Sequence, residues 1–429
     1  MGHTDSMLIV HTSDWHVGRT LHGADLSPAR DLFFEWLIDL VKSRHVDALL
    51  ISGDLFDRAV PPAHVLRPLS DALVRLCSLT RVIIIPGNHD SAIRLGYLAP
   101  FLQDSLTIAS TIEDIDRPIV VTSSDGEHAT IYAIPYLEPD LVREPLSDII
   151  DEDGQAIPLV RSHEAVISAA LRRIGADIEA RHGGHGMRSG EATGGHDGGR
   201  DNDESSGVLN SDDGVRIVMS HAFFTGGAPS ESERDIQVGG VASVPAGVFD
   251  EYGIDYVAAG HLHRPQNISG SSATIRYSGS PMPFSFSEAS STQSVTLLHI
   301  DAGTLTDIET VPTPIWRNLD VIEGPFEQVI SDQYAEQRDD FVSITVTDDI
   351  RPRDLIARIR HVFPYALAIL HAPPVPASQR LTGPSRQAAR SDRAVIDEYF
   401  EQTIGRSLNE AERSVIDSVW EQIQVRSVQ

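Results

Sequence analysis

Five apolar runs in this chain each break off into a short cluster of polar residues that bind metals or move protons. Met7–Ser13 (MLIVHTS) runs into Asp14-Trp15-His16, and Val46–Ser52 into Gly53-Asp54-Leu55-Phe56-Asp57. Arg81–Pro86 (RVIIIP) runs into Gly87-Asn88-His89-Asp90. Later, Val215–Ser220 leads to His221, and Tyr256–Ala259 to Gly260-His261-Leu262-His263. Between the first three, Asp31–Arg44 carries helical apolar spacing at Leu32, Trp36, Leu37 and Leu40, and Pro61–Cys77 reads as a helix with proline in its first turn. This β-α-β-α-β order predicts an α/β core with buried, near-continuous apolar strands. Further strands are expected at Pro118–Thr122, Thr130–Pro135, Thr274–Ser278 and Ser294–Ile300. Ligands of such sheets sit beyond the carboxyl ends of the strands, so five strand ends can meet at one point.

The residues that would meet there are Asp14, His16, Asp54, Asn88, His221, His261 and His263. Mixed nitrogen and oxygen donors without sulfur favour Mn, Fe or Zn, and four imidazoles disfavour Mg and Ca. Seven side chains are too many for one tetrahedral ion; with one bridging carboxylate they suit two ions about 3.5–4 Å apart. Asp-x-His and His-x-His place both side chains on one side of an extended chain. The glycines before Asp54, Asn88 and His261 permit tight turns at the strand exits.

Composition sets the surroundings. The chain has 429 residues, enough for more than one domain, and its only cysteine, Cys77, excludes a disulfide framework and a cysteine-rich zinc site. No apolar run nears the roughly 18 residues of a membrane span, and the polar Met1–Ser6 gives no sign of a signal peptide, so a cytoplasmic protein is expected. The net charge of −28 opposes the basic footprint usual for nucleic-acid binding. That acid is regional: residues 1–100 sum to −2, 101–150 to −8 and 301–350 to −10, whereas 351–390 sum to +6.

The expected organisation is a catalytic domain over 1–310, a small capping domain over 312–372, a linker at 373–390 and partner-docking helices at 391–429. Residues 182–214, rich in Gly, His and Asp, cannot bury enough apolar surface to fold and are expected to be a disordered insertion. In the cap, strands at Leu319–Ile322, Phe341–Thr347 and Ala366–Leu370 flank a helix at Arg353–Val362. In the tail, Val395, Ile396, Tyr399, Phe400 and Ile404 form one helical stripe; Leu408, Ala411, Val415, Val419 and Ile423 form another, opened by a Ser407–Glu410 capping box.

The order DxH, GDxxD, GNHD, a lone His and GHxH resembles the calcineurin-like metallophosphoesterases. The segments SGDLFDRAVPP, IIIPGNHDS, AIPYLEP, SESERDIQVGG, AAGHLHRPQ and YSGSPMPFSFSE resemble the SbcD branch, nuclease subunits of bacterial repair complexes, over residues 7–300. Two features depart from that branch: the 182–214 insertion, and Glu138 where relatives often carry a basic residue. The resemblance implies a metallophosphoesterase β-sandwich flanked by helices, with a small α/β cap and C-terminal helices. It also implies two divalent ions, with manganese the expected metal. Asp14, His16 and His263 would hold one ion, Asn88, His221 and His261 the other, and Asp54 would bridge. His89 would face the scissile phosphate and assist the leaving group, with Asp57 and Asp90 orienting imidazoles. Arg58 is read as a phosphate contact or a surface ion pair, and Trp15 as a stacking or a packing residue, with packing preferred. The implied activity is hydrolysis of DNA, exonucleolytic on duplex ends and endonucleolytic on single strands and hairpins. The implied partners are an SbcC-type coiled-coil ATPase and a second copy of the chain. No Gly-x-x-x-x-Gly-Lys-Ser/Thr loop for ATP occurs here. Two rival readings are a phosphatase or small-substrate phosphodiesterase of the same superfamily and an inactive scaffold that tethers DNA ends.

Overall fold

Strands Met7–Thr12, Ala48–Ser52 and Arg81–Ile85 are almost wholly apolar and run parallel, as expected of strands buried on both faces. They form the middle of a six-stranded sheet in the order Thr304–Pro312, Ser294–Asp301, Met7–Thr12, Ala48–Ser52, Arg81–Ile85, Leu106–Ile108. A second six-stranded sheet runs Gln266–Ile268, Thr274–Tyr277, Tyr256–Gly260, Val215–His221, His128–Ile134, Ile119–Thr122. This computed structural model describes residues 6–102, 104–151, 154–183, 214–234, 236, 243–373 and 412–413.

The sheets pack face to face. Ile9, Leu50 and Ile83 of the first meet Ile131, Ile217 and Ala258 of the second. On the outer side of the first sheet, Val10, Leu49 and Ile51 lie under Phe33, Leu37 and Val41 of helix Ser27–Arg44 and Leu69 and Leu76 of helix Ala63–Cys77. On the outer side of the second, Val218 and Val257 lie under Val166, Ala170 and Ile174 of helix His163–Gly183. The result is a sandwich flanked by helices. The parallel strands of both sheets deliver their carboxyl ends, Asp14, Asp54, Asn88, His221 and His261, to one edge.

A third sheet of three parallel strands, Leu319–Gly324, Phe341–Val346 and Ala366–His371, packs Ile322, Ile344 and Val346 against Phe326, Leu355 and Ile359. This is the expected β-α-β unit, with its helix at Leu355–Val362.

The structure differs from the sequence reading at several points. The first helix begins at Ser27 rather than Asp31, because Pro28 is accommodated in its first turn. The strands Leu106–Ile108 and Thr304–Pro312 and the helix His163–Gly183 were not anticipated. That helix also carries the chain to Gly183, so the expected insertion starts later than residue 182; its remainder, 184–213, lies outside the described residues. Residues Met1–Ala372 form one compact unit and Pro373–Gln429 a second. The expected linker at 373–390 and the helices at 391–429 fall outside the described residues except for Pro373, Glu412 and Arg413. Among the described residues no helix is long and apolar enough to cross a membrane.

Candidate metal centre

The strand exits are tied to one another through backbone. Asp14 N–H donates to the Gly53 carbonyl (3.0 Å), His16 N–H to Asp54 (2.9 Å) and Val17 N–H to Leu55 (3.0 Å). Four of the site residues have left-handed backbone: Asp14 (φ 54°), His16 (φ 42°), Asp54 (φ 50°) and His261 (φ 110°). Such conformations cost of order 1–3 kcal/mol each and persist where the surroundings over-determine them, as they do here. Gly53 (φ 92°) also leaves room for a ligand: a Cβ there would lie 2.2 Å from His221 Nδ1.

Asp54 is the centre of the cluster. Its Oδ2 lies 3.5 Å from His221 Nε2, 3.6 Å from His16 Nε2 and 4.0 Å from His89 Nε2, and its Oδ1 accepts from His89 N–H at 2.8 Å. On one side, His16 Nε2 and His263 Nε2 stand 3.0 Å apart, and Asp14, His16 and His263 bring three donor atoms within 4.8 Å of one another. On the other side, Asn88 Oδ1 lies 2.9 Å from His221 Nε2 and 3.2 Å from His261 Nδ1. His221 donates from Nδ1 to the Ser52 carbonyl (2.9 Å), which turns Nε2 inward, and the Asp14 carboxylate accepts from His261 N–H at 3.1 Å.

These residues fit divalent ions. Six of them are buried and Asn88 is half-buried; they carry no sulfur and aim nitrogen and oxygen donors at shared points. The buried atoms His16 Nδ1 and Asn88 Nδ2 have no hydrogen-bond partner among the described residues. The electrostatics also call for positive charge. Burial favours neutral Asp54, but His221, His16 and His89 hold its carboxyl far below the usual range. His221 is pushed up to about 9, because Asp54 and Asp14 outweigh the effect of burial. Burial pushes Asp14 up to about 6, against the pull of His221 and His263. His16 and His261 are lowered by burial and remain neutral ligands.

A pH dependence follows. Metal ligands must be deprotonated, so uptake is expected to release a proton from His221 below about pH 9, one from His263, which against its burial Glu288 and Asp14 hold above the ordinary imidazole value, and one from Asp14 below about pH 6. Affinity is therefore expected to rise with pH up to about 9, by about tenfold per unit for each ligand still protonated, and most steeply below pH 6. Calorimetric titration with manganese in buffers of different ionisation enthalpy counts these protons. Uptake without proton release at pH 7 would contradict the assignment of His221.

The remaining predicted residues take distinct places. His89 leaves 15% of its side chain exposed beside the buried His16, and its Nδ1 lies 2.9 Å from the Asp57 carbonyl. The Asp57 backbone thus bonds an imidazole, while its carboxylate lies within 4.8 Å of donor atoms of His16 and His89, 3.9 Å from Arg19 and 3.5 Å from Arg58. Asp90 serves the backbone instead. Its carboxylate accepts from the backbone N–H of Leu55, Phe56 and Gly87 at 2.9–3.0 Å, locking the loop that carries Asp54 onto the loop that carries Asn88. Burial and the Asp54 charge push Asp90 up to about 7. Trp15 packs between Phe33 and Phe34 and donates to Thr12 Oγ1, so it serves the core.

Sequence reasoning missed the surroundings of His263. Glu233 accepts from its backbone N–H (2.9 Å), Ser232 from its Nδ1, and the Phe284 ring stands edge-on to it and to His16. The strings SESERD and FSFSE that hold these residues carry no spacing that marks a metal site.

Two family models match the chain. The calcineurin-like phosphoesterase model covers residues 7–265, and the SbcD_C model, described as "Type 5 capsule protein repressor C-terminal domain", covers 315–403. Among solved structures, GAP50, described as the anchor in the inner membrane complex of Plasmodium, aligns with a TM-score of 0.36 at 9% identity, over 89% of this chain and 99% of that one. The phosphoesterase match contains all seven clustered side chains, His263 being two residues from its end, and on that extent the chain belongs to the calcineurin-like phosphoesterase family, whose members are metal-dependent hydrolases.

Proposed function

We propose that this chain is the nuclease subunit of an SbcC–SbcD-type complex, hydrolysing DNA phosphodiesters with two manganese ions. It would act as an exonuclease on duplex ends and an endonuclease on single strands and hairpins. The observation that carries the reading is Asp54 Oδ2 lying between the two donor groups, within 3.6 Å of one imidazole from each. The match over 315–403 supports the SbcD assignment. When bound, two such ions supply neutralising charge for the phosphoryl group and a water acidic enough to attack near neutral pH. Asp14, His16 and His263 would hold one ion and Asn88, His221 and His261 the other, with Asp54 as the carboxylate between the two groups. His89, held through Nδ1 and open to solvent on its other edge, hands a proton to the departing sugar oxygen. Arg19, whose buried Nη1 has no hydrogen-bond partner among the described residues, and the exposed Arg58 are nearby cations available to flanking phosphates. A linear duplex compared with a chromogenic phosphomonoester tests this reading against a phosphatase. Manganese-dependent cleavage of the duplex is expected, and turnover of the monoester alone would overturn it.

The acidic regions give this subunit little attraction for DNA, so isolated binding should be weak and steeply salt-dependent, with much of the affinity supplied by the ATPase partner. The stretch 391–429 is the proposed docking segment for that coiled-coil ATPase.

The homodimer has a candidate surface. Phe101 (82% exposed) lines one groove with Leu66 and Val74 of helix Ala63–Cys77, and Ile93 (88% exposed), Tyr97 and Leu98 are exposed on the segment that leads to it. Several large apolar side chains exposed on one short segment mark a candidate interaction site. The double substitution Ile93→Glu and Phe101→Glu should convert the dimer to monomer in sedimentation analysis without lowering the melting temperature by more than a few degrees. A dimer that survives both charges would place the interface elsewhere.

A further inference from the structure

Behind His263 lies a chain of polar groups that the proposed chemistry does not use. Glu288 is fully buried. Its Oε1 accepts from the hydroxyls of Ser232, Ser230 (2.7 Å) and Ser285 (3.1 Å), and its Oε2 from Phe284 N–H (2.9 Å). An ionised carboxylate is acceptor-only, so the Ser232–Glu288 bond has one direction: Ser232 has a single hydroxyl proton, and Glu288 takes it. Ser232 Oγ has two further neighbours, Ser230 Oγ at 2.9 Å and His263 Nδ1, and with its proton spent it can only accept from either. Ser230 also has Glu233 Oε2 at 2.7 Å for its own proton, whereas among the described residues His263 Nδ1 has only Ser232 and, at 3.7 Å, Glu288 itself, so Nδ1 is the donor. A neutral imidazole with its proton on Nδ1 presents a lone pair at Nε2, and Nε2 is the atom that faces His16 Nε2 at 3.0 Å. Glu233 secures the same residue from the backbone side through His263 N–H.

We infer that Glu288 is a positioning residue for the first metal site, fixing through Ser232 which nitrogen of His263 is free to bind the ion. The inference rests on the two-ion reading above. It separates Glu288 from the many carboxylates that stabilise by ion pairing alone. Glutamine in its place can donate to Ser232 Oγ, which reverses the serine and allows the His263 proton to settle on Nε2, where it blocks the ligand position.

Two measurements on the full chain test this. In metal-free wild-type protein, nitrogen-15 spectra should show His263 protonated at Nδ1, and Glu288→Gln should move the population towards Nε2. In manganese titrations by calorimetry, Glu288→Gln should weaken one of two sites by about 10–100-fold, the loss typical of removing a partner behind a metal-bound histidine, and leave the other unchanged. A general loosening of the fold would weaken both. If Glu288→Gln does not fold, Ser232→Ala removes the relay while Glu288 keeps Ser230, Ser285 and Phe284, and the same single-site loss is expected. A wild type that takes up no second manganese overturns the two-ion reading and this inference with it. A wild type that takes up two, with both affinities unchanged in the folded variants, overturns the inference alone.

Discussion

Replacing Asp54 by asparagine is expected to remove hydrolysis by three orders of magnitude or more while leaving the fold in place. Asparagine has the same shape, and its carbonyl oxygen can still accept from His89 N–H, so the loop keeps its anchor. What disappears is the negative charge between His16, His89 and His221. On the proposed two-ion reading that charge would be shared by both ions, and metal stabilisation of phosphoryl charge is worth several kcal/mol, with about 1.4 kcal/mol for each tenfold in rate. The same substitution should return the His221 pKa from about 9 towards the ordinary imidazole value, because Asp54 is the main group raising it. Metal content by mass spectrometry and the His221 titration by NMR check both halves. Retention of two tightly bound ions by the variant would show that the carboxylate does not bridge.

His89→Ala is the second large effect, and it differs in kind. His89 lies 4.0 Å from Asp54 and holds its place through the Asp57 carbonyl, so both metal sites should keep their affinity. Cleavage of DNA should fall by about 10²–10⁴-fold, the usual worth of a positioned general acid. The loss should shrink on bis-p-nitrophenyl phosphate, because nitrophenolate departs without a proton. An equal loss on both substrates would mean that His89 acts on the phosphate rather than on the leaving oxygen. Weakened metal binding would make it a ligand.

Much of this arrangement was legible in the sequence because strands impose a simple rule. An apolar run that ends in Gly53-Asp54 or Gly260-His261 can deliver those residues only at its carboxyl end, and parallel pairing then brings the ends to one edge. The missing elements had no such signal. Thr304–Pro312 is an edge strand with no buried face, so its residues carry no alternation. In His163–Gly183 the buried Val166, Ala170 and Ile174 are small or moderate in size and interrupted by Arg172 and Arg173, which blurs the helical stripe. Asp90 was read as an imidazole partner because of its place in GNHD, yet it serves three backbone amides, a role that depends on how two loops meet. Ser232 and Glu288 are 56 residues apart, and nothing local distinguishes them from the serines and glutamates of a solvated loop. Contacts between loops from different strands set this part of the site, and such contacts leave no periodic trace.

The central claim is that the two donor groups flanking Asp54 form a single two-ion centre that cuts DNA. It is tested most directly by titrating manganese into metal-depleted protein while following cleavage of an end-labelled duplex. The expected result is no cleavage without metal, little at one equivalent, and a rise that tracks the second ion bound per chain. Full cleavage at one equivalent, or cleavage that persists after metal removal, would contradict it.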